Sequence, residues 1–196
     1  MTITRLLAIA LALAQFGGAD DRGASGKLHG RYAFSGQRDC LYTTGDFDQN
    51  GAVSLPPEGQ FFRISAVDDG VTEFDGKGHT HQRGHSSSLN INAGPGSIPL
   101  SDSDFECDGT YRLDEGIVSS SRSCTFLNTA GPNRGHGGTV TGIEIQGRIV
   151  DGGRAVLQAT SHPAVETQTQ DTANGSVTYH RLCVRSGTSI RLDDGD

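Results

Sequence analysis

Short runs in which apolar and polar residues alternate recur along most of the chain. Within residues 143–149, the odd-numbered positions are isoleucine or glycine and the even-numbered positions are Glu, Gln and Arg. Alternation with a period of two places one face of a strand against a core and the other face in water. After the first nineteen residues, no stretch of eleven or more residues has the apolar spacing of three and four that is typical of a helix. The pattern therefore predicts an all-β protein.

The alternating runs predict nine strands bounded by Gly and Asp. These strands cover residues 29–36, 60–67, 70–75, 78–91, 105–114, 117–126, 138–151, 153–161 and 176–186. Tight turns are predicted at residues 75–78, 115–116 and 151–153, where Asp or Glu is followed by Gly. Long loops are predicted at residues 37–59, 92–104, 127–137 and 162–175.

Eight or nine antiparallel strands in series can form either a barrel or a sandwich. Closure into a barrel removes the exposed edges that so many short strands would otherwise present. We therefore expect a single up-and-down barrel over residues 29–190, with a β-sandwich as the alternative. The 28 glycines among 196 residues agree with an all-β fold, because glycine inside a helix costs up to about 1 kcal/mol relative to alanine.

Residues 1–19 predict a secretory signal peptide. Arg5 precedes an apolar run over residues 6–14, and small residues follow it. This run falls well short of the roughly 20 residues that a membrane-spanning helix needs, and no other stretch is apolar enough to span. We expect cleavage after Ala14 or Ala19, a flexible segment over residues 20–28 and an acidic tail over residues 191–196. The mature protein would be secreted or periplasmic.

Charge and composition change this picture in two ways. The formal net charge is −7, and loss of the leader removes Arg5 and no acid, so the mature chain is more acidic still. An acidic surface repels phosphate backbones, so nucleic acid is not expected as a partner. Leu, Ile, Val and Phe make up just under one-fifth of the mature chain. The core is therefore thin, and disulfides are expected to add stability.

The spacing of the four cysteines predicts one disulfide directly. A two-residue turn at residues 115–116 would place Cys107 opposite Cys124, in a non-hydrogen-bonded pair where side chains come closest. Cys40 and Cys183 would then form the second disulfide, which would fasten the first strand to the last. Four cysteines allow three pairings, so the two other pairings stay open.

The first candidate metal site is a loop with alternating oxygen donors. Asp46, Asp48 and Asn50 occupy positions 1, 3 and 5 of a calcium-type loop, and Gly51 follows at position 6. Position 12, where a bidentate glutamate belongs, is Pro57. The same residue types also favour an ordinary surface turn, which is the interpretation preferred here, with calcium as the alternative. Apart from calcium here and the transition metal considered next, no cofactor is expected.

A second candidate metal site is a histidine cluster. His79, His81 and His85 would share one face of an unbroken strand, and His136 would supply a fourth ligand from a loop. Three inward imidazoles can hold a transition metal. The polar residues between them favour a solvated strand instead, and Gly84 would allow a bulge that turns His85 away.

Three segments of the chain resemble small secreted bacterial barrel proteins of the calycin-like and allene-oxide-cyclase-like kind. They are residues 30–34 (GRYAF), residues 70–78 (GVTEFDGKG) and residues 108–113 (DGTYRL), which cover strand starts and turns only. The resemblance implies an antiparallel meander of roughly eight strands around a small cavity. It carries over no catalytic residue.

Two classes of function therefore remain. The first is a non-catalytic barrel that binds a small molecule or a partner surface, which we favour. The second is an enzyme, either metal-dependent through His79 and His81 or a cyclase or isomerase that uses a barrel cavity. Arg181 and Arg185 would point either into the barrel or along its outside, and the sequence alone leaves both orientations open.

Overall fold

The computed structural model describes residues 28–48, 50–54, 59–91, 100–160 and 163–192. Within these ranges every regular element is a β-strand except a short 3-10 turn, Asp151–Gly153. None of the described residues belongs to a helix long and apolar enough to cross a membrane. The predicted leader, most of the predicted flexible segment and the last four residues lie outside the described ranges.

Eleven strands follow one another along the described chain. Their bounds are β1 His29–Thr43, β2 Asp46–Phe47, β3 Val53–Ser54, β4 Phe61–Asp75, β5 His79–Asn90, β6 Leu100–Asp114, β7 Ile117–Asn128, β8 Gly137–Val150, β9 Ala155–Ala159, β10 Val165–Thr172 and β11 Gly175–Arg191. Nine of them form a single antiparallel sheet, and β2 and β3 form a separate hairpin between β1 and β4. Leu28, inside the predicted flexible segment, is buried, and β11 extends one residue past the predicted barrel.

The large sheet closes on itself. Neighbours in the sheet run β1, β4, β5, β6, β7 and β8, and β11 returns to pair with β1 over twelve positions from Tyr32 to Thr43. Between β8 and β11, β9 fills one half of the remaining position and β10 fills the other. The result is the predicted up-and-down barrel, with eight strand positions around the ring. Closure leaves the long strands without unpaired edges.

Several segments predicted as loops are strands. β1 continues seven residues beyond its predicted end, β10 lies in the predicted loop 162–175, and the predicted strands 60–67 and 70–75 are one strand, β4. The physical reason is the same in each case. The inward positions of these segments carry polar side chains, among them Arg38, Asp68 and Glu166, so the alternation that marks a half-buried strand is absent from the sequence.

The three predicted tight turns lie together at one end of the barrel, here called the turn end. They join β4 to β5, β6 to β7 and β8 to β9. A cluster of buried apolar side chains fills the interior next to them, with Leu28, Tyr32, Phe74 and Tyr111 at its centre. Phe74 packs edge-on against both tyrosine rings, at centroid distances of 5.3 and 5.0 Å. This cluster, the aromatic plug, closes the turn end.

The opposite end, here called the loop end, is where β1, β5 and β7 finish and the longer connections begin. A smaller buried cluster lies towards it, formed by the disulfide of Cys40 and Cys183 with the ring of Tyr42. The ring of Phe62 stacks on Tyr42 at 5.1 Å. Apolar packing is therefore concentrated in two places, and the interior between them is free to be polar.

Two disulfides link neighbouring strands on opposite sides of the ring. Cys40 in β1 is joined to Cys183 in β11, and Cys107 in β6 is joined to Cys124 in β7. In each pair the residues are direct cross-strand partners, with Cα atoms 4.1 and 4.0 Å apart. The first disulfide fastens the seam at which the barrel closes.

The two disulfides are expected to differ in their effect on stability. They enclose 143 and 17 residues, and the entropy that a cross-link removes from the unfolded chain grows with the length of the loop. The double variant Cys40→Ala/Cys183→Ala should therefore lose about 2 kcal/mol more unfolding free energy than Cys107→Ala/Cys124→Ala. Urea denaturation of the two variants and of the oxidised parent measures this. Equal losses would contradict the expectation, and non-reducing peptide maps of the parent check the pairing.

Candidate functional site

A cavity of about 710 Å³ occupies the interior of the barrel. Its lining comes from the middle of the strands and from the loop end, where Gln60, Phe61 and Asn133 contribute. A volume of this size falls in the range of sites that hold small molecules. The lining combines aromatic rings with serines, glutamines and four arginines, so the cavity offers both apolar surface and charge.

The carboxylate of Glu166 on β10 is buried beside the cavity. Arg181 donates from Nε to Glu166 Oε2 at 2.8 Å, and Arg185 donates from Nη2 to the same oxygen at 2.7 Å and pairs with Oε1 through Nη1. Arg181 also donates to Tyr42 Oη and to Gln168 Oε1, each at 2.7 Å. One carboxylate is thus shared between two buried guanidinium groups.

These contacts decide the charge of Glu166. Burial opposes ionisation and by itself would raise the pKa of this carboxyl group. The charges and hydrogen bonds of Arg181 and Arg185 outweigh burial and hold the pKa of Glu166 below its ordinary value. Glu166 is therefore ionised at neutral pH and acts as a counter-ion. Its oxygens already accept hydrogen bonds, which makes it a poor base for a reaction in the cavity.

A second charged pair joins β1 to β4 across the cavity wall. Arg38 donates from Nη2 to Ser86 Oγ at 2.8 Å and lies 3.5 Å from Asp68 Oδ1. Arg38 lies opposite Ala66 and Asp68 lies opposite Gly36, so the two charged residues are diagonal neighbours across the strand pair. Both side chains are about one-fifth exposed. Asp68 is thus the counter-ion of Arg38.

The fourth arginine, Arg122 on β7, has a different environment. It is 4% exposed and donates from Nη1 to the neutral side chain of Gln82, while its Nε, like that of Arg38, is buried without a hydrogen-bond partner. Burial, together with the nearby charge of Arg185, lowers the pKa of Arg122 to about 10, so it stays protonated at neutral pH. Among the residues that the structure describes, no carboxylate forms an ion pair with it.

Local backbone features make room for Arg122. It faces Gly109 on β6, and a Cβ atom on that glycine would lie 2.8 Å from Cγ of Arg122. On its other side, the register between β7 and β8 shifts just beyond Arg122, where Gly142 has a φ of +76°. This β-bulge keeps Val140 and Ile143 both pointing inward although they are three residues apart.

Aromatic rings form the apolar part of the cavity. Phe34 and Phe105 lie on β1 and β6, and their ring centroids are 6.3 Å apart across the intervening strands. The rings cover Gly84 on β5, where an added Cβ would lie 2.9 Å from Phe105 and 3.0 Å from Phe34. Phe126 also lines the cavity, from β7. A planar apolar group would find ring surface here.

The histidine cluster lies on the outside of the barrel. His79, His81 and His85 share the outward face of β5, which runs unbroken opposite β6, and each contacts carboxylates. The hydrogen bond from His85 to Asp104 raises the pKa of that imidazole. The three imidazoles thus lie on the solvated face of the strand, which the sequence favoured, whereas a metal site inside the barrel needs inward imidazoles. Since side chains alternate along the strand, Gln82, Ser86 and Ser88 face inward instead.

The candidate calcium loop forms the β2–β3 hairpin. Oδ1 of Asp48 accepts hydrogen bonds from the backbone N–H groups of Asn50 and Ala52, both at 2.8 Å, which is an Asx-type turn. Asp46 lies 3.4 Å from His180. Across the described ranges, no group of three or more His, Cys, Asp or Glu side chains is arranged to hold a metal ion. Calcium binding at this loop stays the alternative to the surface turn that the sequence favours.

The buried ion network should govern acid stability. The pKa of Glu166 is lower in the folded protein than in the unfolded chain. Its contribution to the unfolding free energy is therefore complete above the unfolded pKa and is lost as the pH falls through the folded pKa. Glu166→Gln should lower the unfolding free energy by about 3–5 kcal/mol at pH 7, because two buried arginines lose their counter-ion. It should also flatten the pH dependence below pH 5. Urea denaturation at several pH values measures both effects, with the exposed Glu144→Gln as control. An unchanged free energy at pH 7 would contradict this role.

No family model matches the chain, and no curated protein matches it. Among solved structures, the chain is similar to the secretin InvG of the Salmonella SPI-1 type III secretion injectisome in its open gate state, at 9% identity and a TM-score of 0.29. The match covers 85% of this chain and 60% of the secretin chain, so this chain spans less than two-thirds of that neighbour. A likeness at this TM-score carries no argument about function.

Proposed function

We propose that the protein is a non-catalytic binding protein that holds a small molecule inside the barrel. The observation that carries the proposal is the cavity itself, which is enclosed by the sheet, closed at the turn end by the aromatic plug and lined by both rings and polar side chains. Sites that bind small molecules are concave, and a few polar groups among apolar surface orient the ligand.

The chemistry of the lining favours binding over catalysis. Proton transfer needs a group whose pKa lies near the working pH and whose atoms can reach the substrate. Glu166 is held ionised by two arginines, and the described residues that line the cavity include no histidine. The histidines that a metal-dependent enzyme would use lie on the outer face of β5. The cavity therefore offers anchors rather than an acid–base pair.

We also propose that the protein is exported, to the periplasm or the cell exterior. The apolar run after Arg5 is typical of a secretory leader. Two disulfides agree with an oxidising compartment, since such bonds are rare in the cytosol. The closed meander of eight strand positions supports the resemblance to calycin-like barrels as a proposal of kinship in fold.

Filling the cavity should abolish binding of a neutral probe. Ser103 on β6 points into the cavity, so Ser103→Trp places a bulky ring there. N-phenyl-1-naphthylamine, a neutral dye that fluoresces in apolar surroundings, should bind the parent protein and bind this variant at least about tenfold more weakly. Fluorescence titration measures both dissociation constants. The chain contains no tryptophan, so the new indole also reports on the interior.

The matched control places the same ring outside the barrel. Ser121 on β7 is exposed, so Ser121→Trp should bind the dye as the parent does. Equal loss in both variants would point to general damage, and circular dichroism and melting curves separate that from blocking. If the parent does not bind the dye, or if Ser103→Trp binds it with unchanged affinity, the interior binding site is refuted.

A further inference from the structure

The interior of the barrel carries more positive than negative charge. Arg38, Arg122, Arg181 and Arg185 line the cavity, whereas Asp68 and Glu166 are the carboxylates that pair with them. Four guanidinium groups thus share two carboxylates, although the whole chain has a formal charge of −7. The excess lies inside an acidic protein, where solvent screens charge less than it does at the surface.

The excess charge can be assigned to particular side chains. Arg181 donates to Glu166, Gln168 and Tyr42, one of which is a carboxylate. Arg185 shares Glu166 with it, and Arg122 has only the neutral Gln82. The missing negative charge therefore belongs beside Arg122.

An unpaired buried guanidinium is costly. Taking such a group out of water without a counter-ion is strongly unfavourable, and an anion that satisfies its donors offsets this cost. Arg122 Nε is buried without any hydrogen-bond partner, and Gly109 leaves the space in which the side chain extends. The backbone thus accommodates an arginine whose partner the described residues do not supply.

We propose that the ligand is a small amphipathic anion, whose oxyanion group binds Arg122 and whose apolar body lies against the phenylalanine rings of the cavity. The planar guanidinium fork matches the two oxygens of a carboxylate, and Phe34, Phe105 and Phe126 provide flat apolar surface. This inference rests on the proposed function and adds the chemical class of the ligand. The acidic outer surface does not oppose binding of the anion, because the anion is held inside the barrel.

Two probes with the same naphthalene ring system test the effect of the ligand's charge alone. Naphthalene-2-carboxylate and naphthalene-2-carboxamide have the same ring system, but only the first is ionised at pH 7. In isothermal titration calorimetry, the parent protein should bind the carboxylate at least about tenfold more tightly than the amide. In Arg122→Met, the carboxylate should lose at least about tenfold in affinity, while the amide should change by less than about twofold.

The control removes an arginine from the outside of the same barrel. Arg112 on β6 is exposed, so Arg112→Met should bind both probes as the parent does. If the parent binds the carboxylate and the amide with equal affinity, the proposal that the ligand is an anion is wrong, while the proposal of a binding site in the cavity stands. An unchanged carboxylate affinity in Arg122→Met would overturn the role of that arginine. The comparison in the parent decides the charge preference even if Arg122→Met does not fold.

Discussion

The carboxylate of Glu166 holds two arginines in place inside a closed sheet, and much of the interior depends on this contact. Arg181 and Arg185 lie on β11, the strand that closes the barrel against β1. With Glu166 ionised, both guanidinium groups can be buried, and Arg181 reaches on to Tyr42 on the closing partner. Because this one acid is used twice, little negative charge remains for Arg122. The structural network and the proposed anion site are thus two consequences of one charge balance.

A polar interior also changes what stabilises the barrel. Apolar packing is confined to the aromatic plug and to the cluster around Cys40 and Cys183, which agrees with the low content of large aliphatic residues in the sequence. Compared with a barrel that has a continuous apolar core, this barrel depends more on its closure, its long strand pairings and its two cross-strand disulfides for stability. The space that a core would fill is available to a ligand.

The sequence predicted the fold class, the closure and the tight turns, because these depend on alternation and on glycine after an acidic residue. It also placed Cys107 opposite Cys124, since a two-residue turn sets the register of both strands. It missed the second half of β1 and all of β10, where inward positions are occupied by residues such as Arg38 and Glu166. Polar alternation is invisible to a pattern based on hydrophobicity, so the missed strands are those that carry the ion pairs of Arg38 and Glu166 inside the barrel. The period of two predicted that His79, His81 and His85 share one face of their strand. Only the assembled sheet shows that this face is the outer one.

The most direct test of this account is a crystal structure of the protein with 6-bromonaphthalene-2-carboxylate, in which anomalous scattering locates the bromine. We expect the bromine inside the barrel near Phe34 and Phe105, and a carboxylate oxygen within hydrogen-bonding distance of the Arg122 guanidinium. A bromine on the outer surface, or a carboxylate directed to the loop end and away from Arg122, would contradict the account.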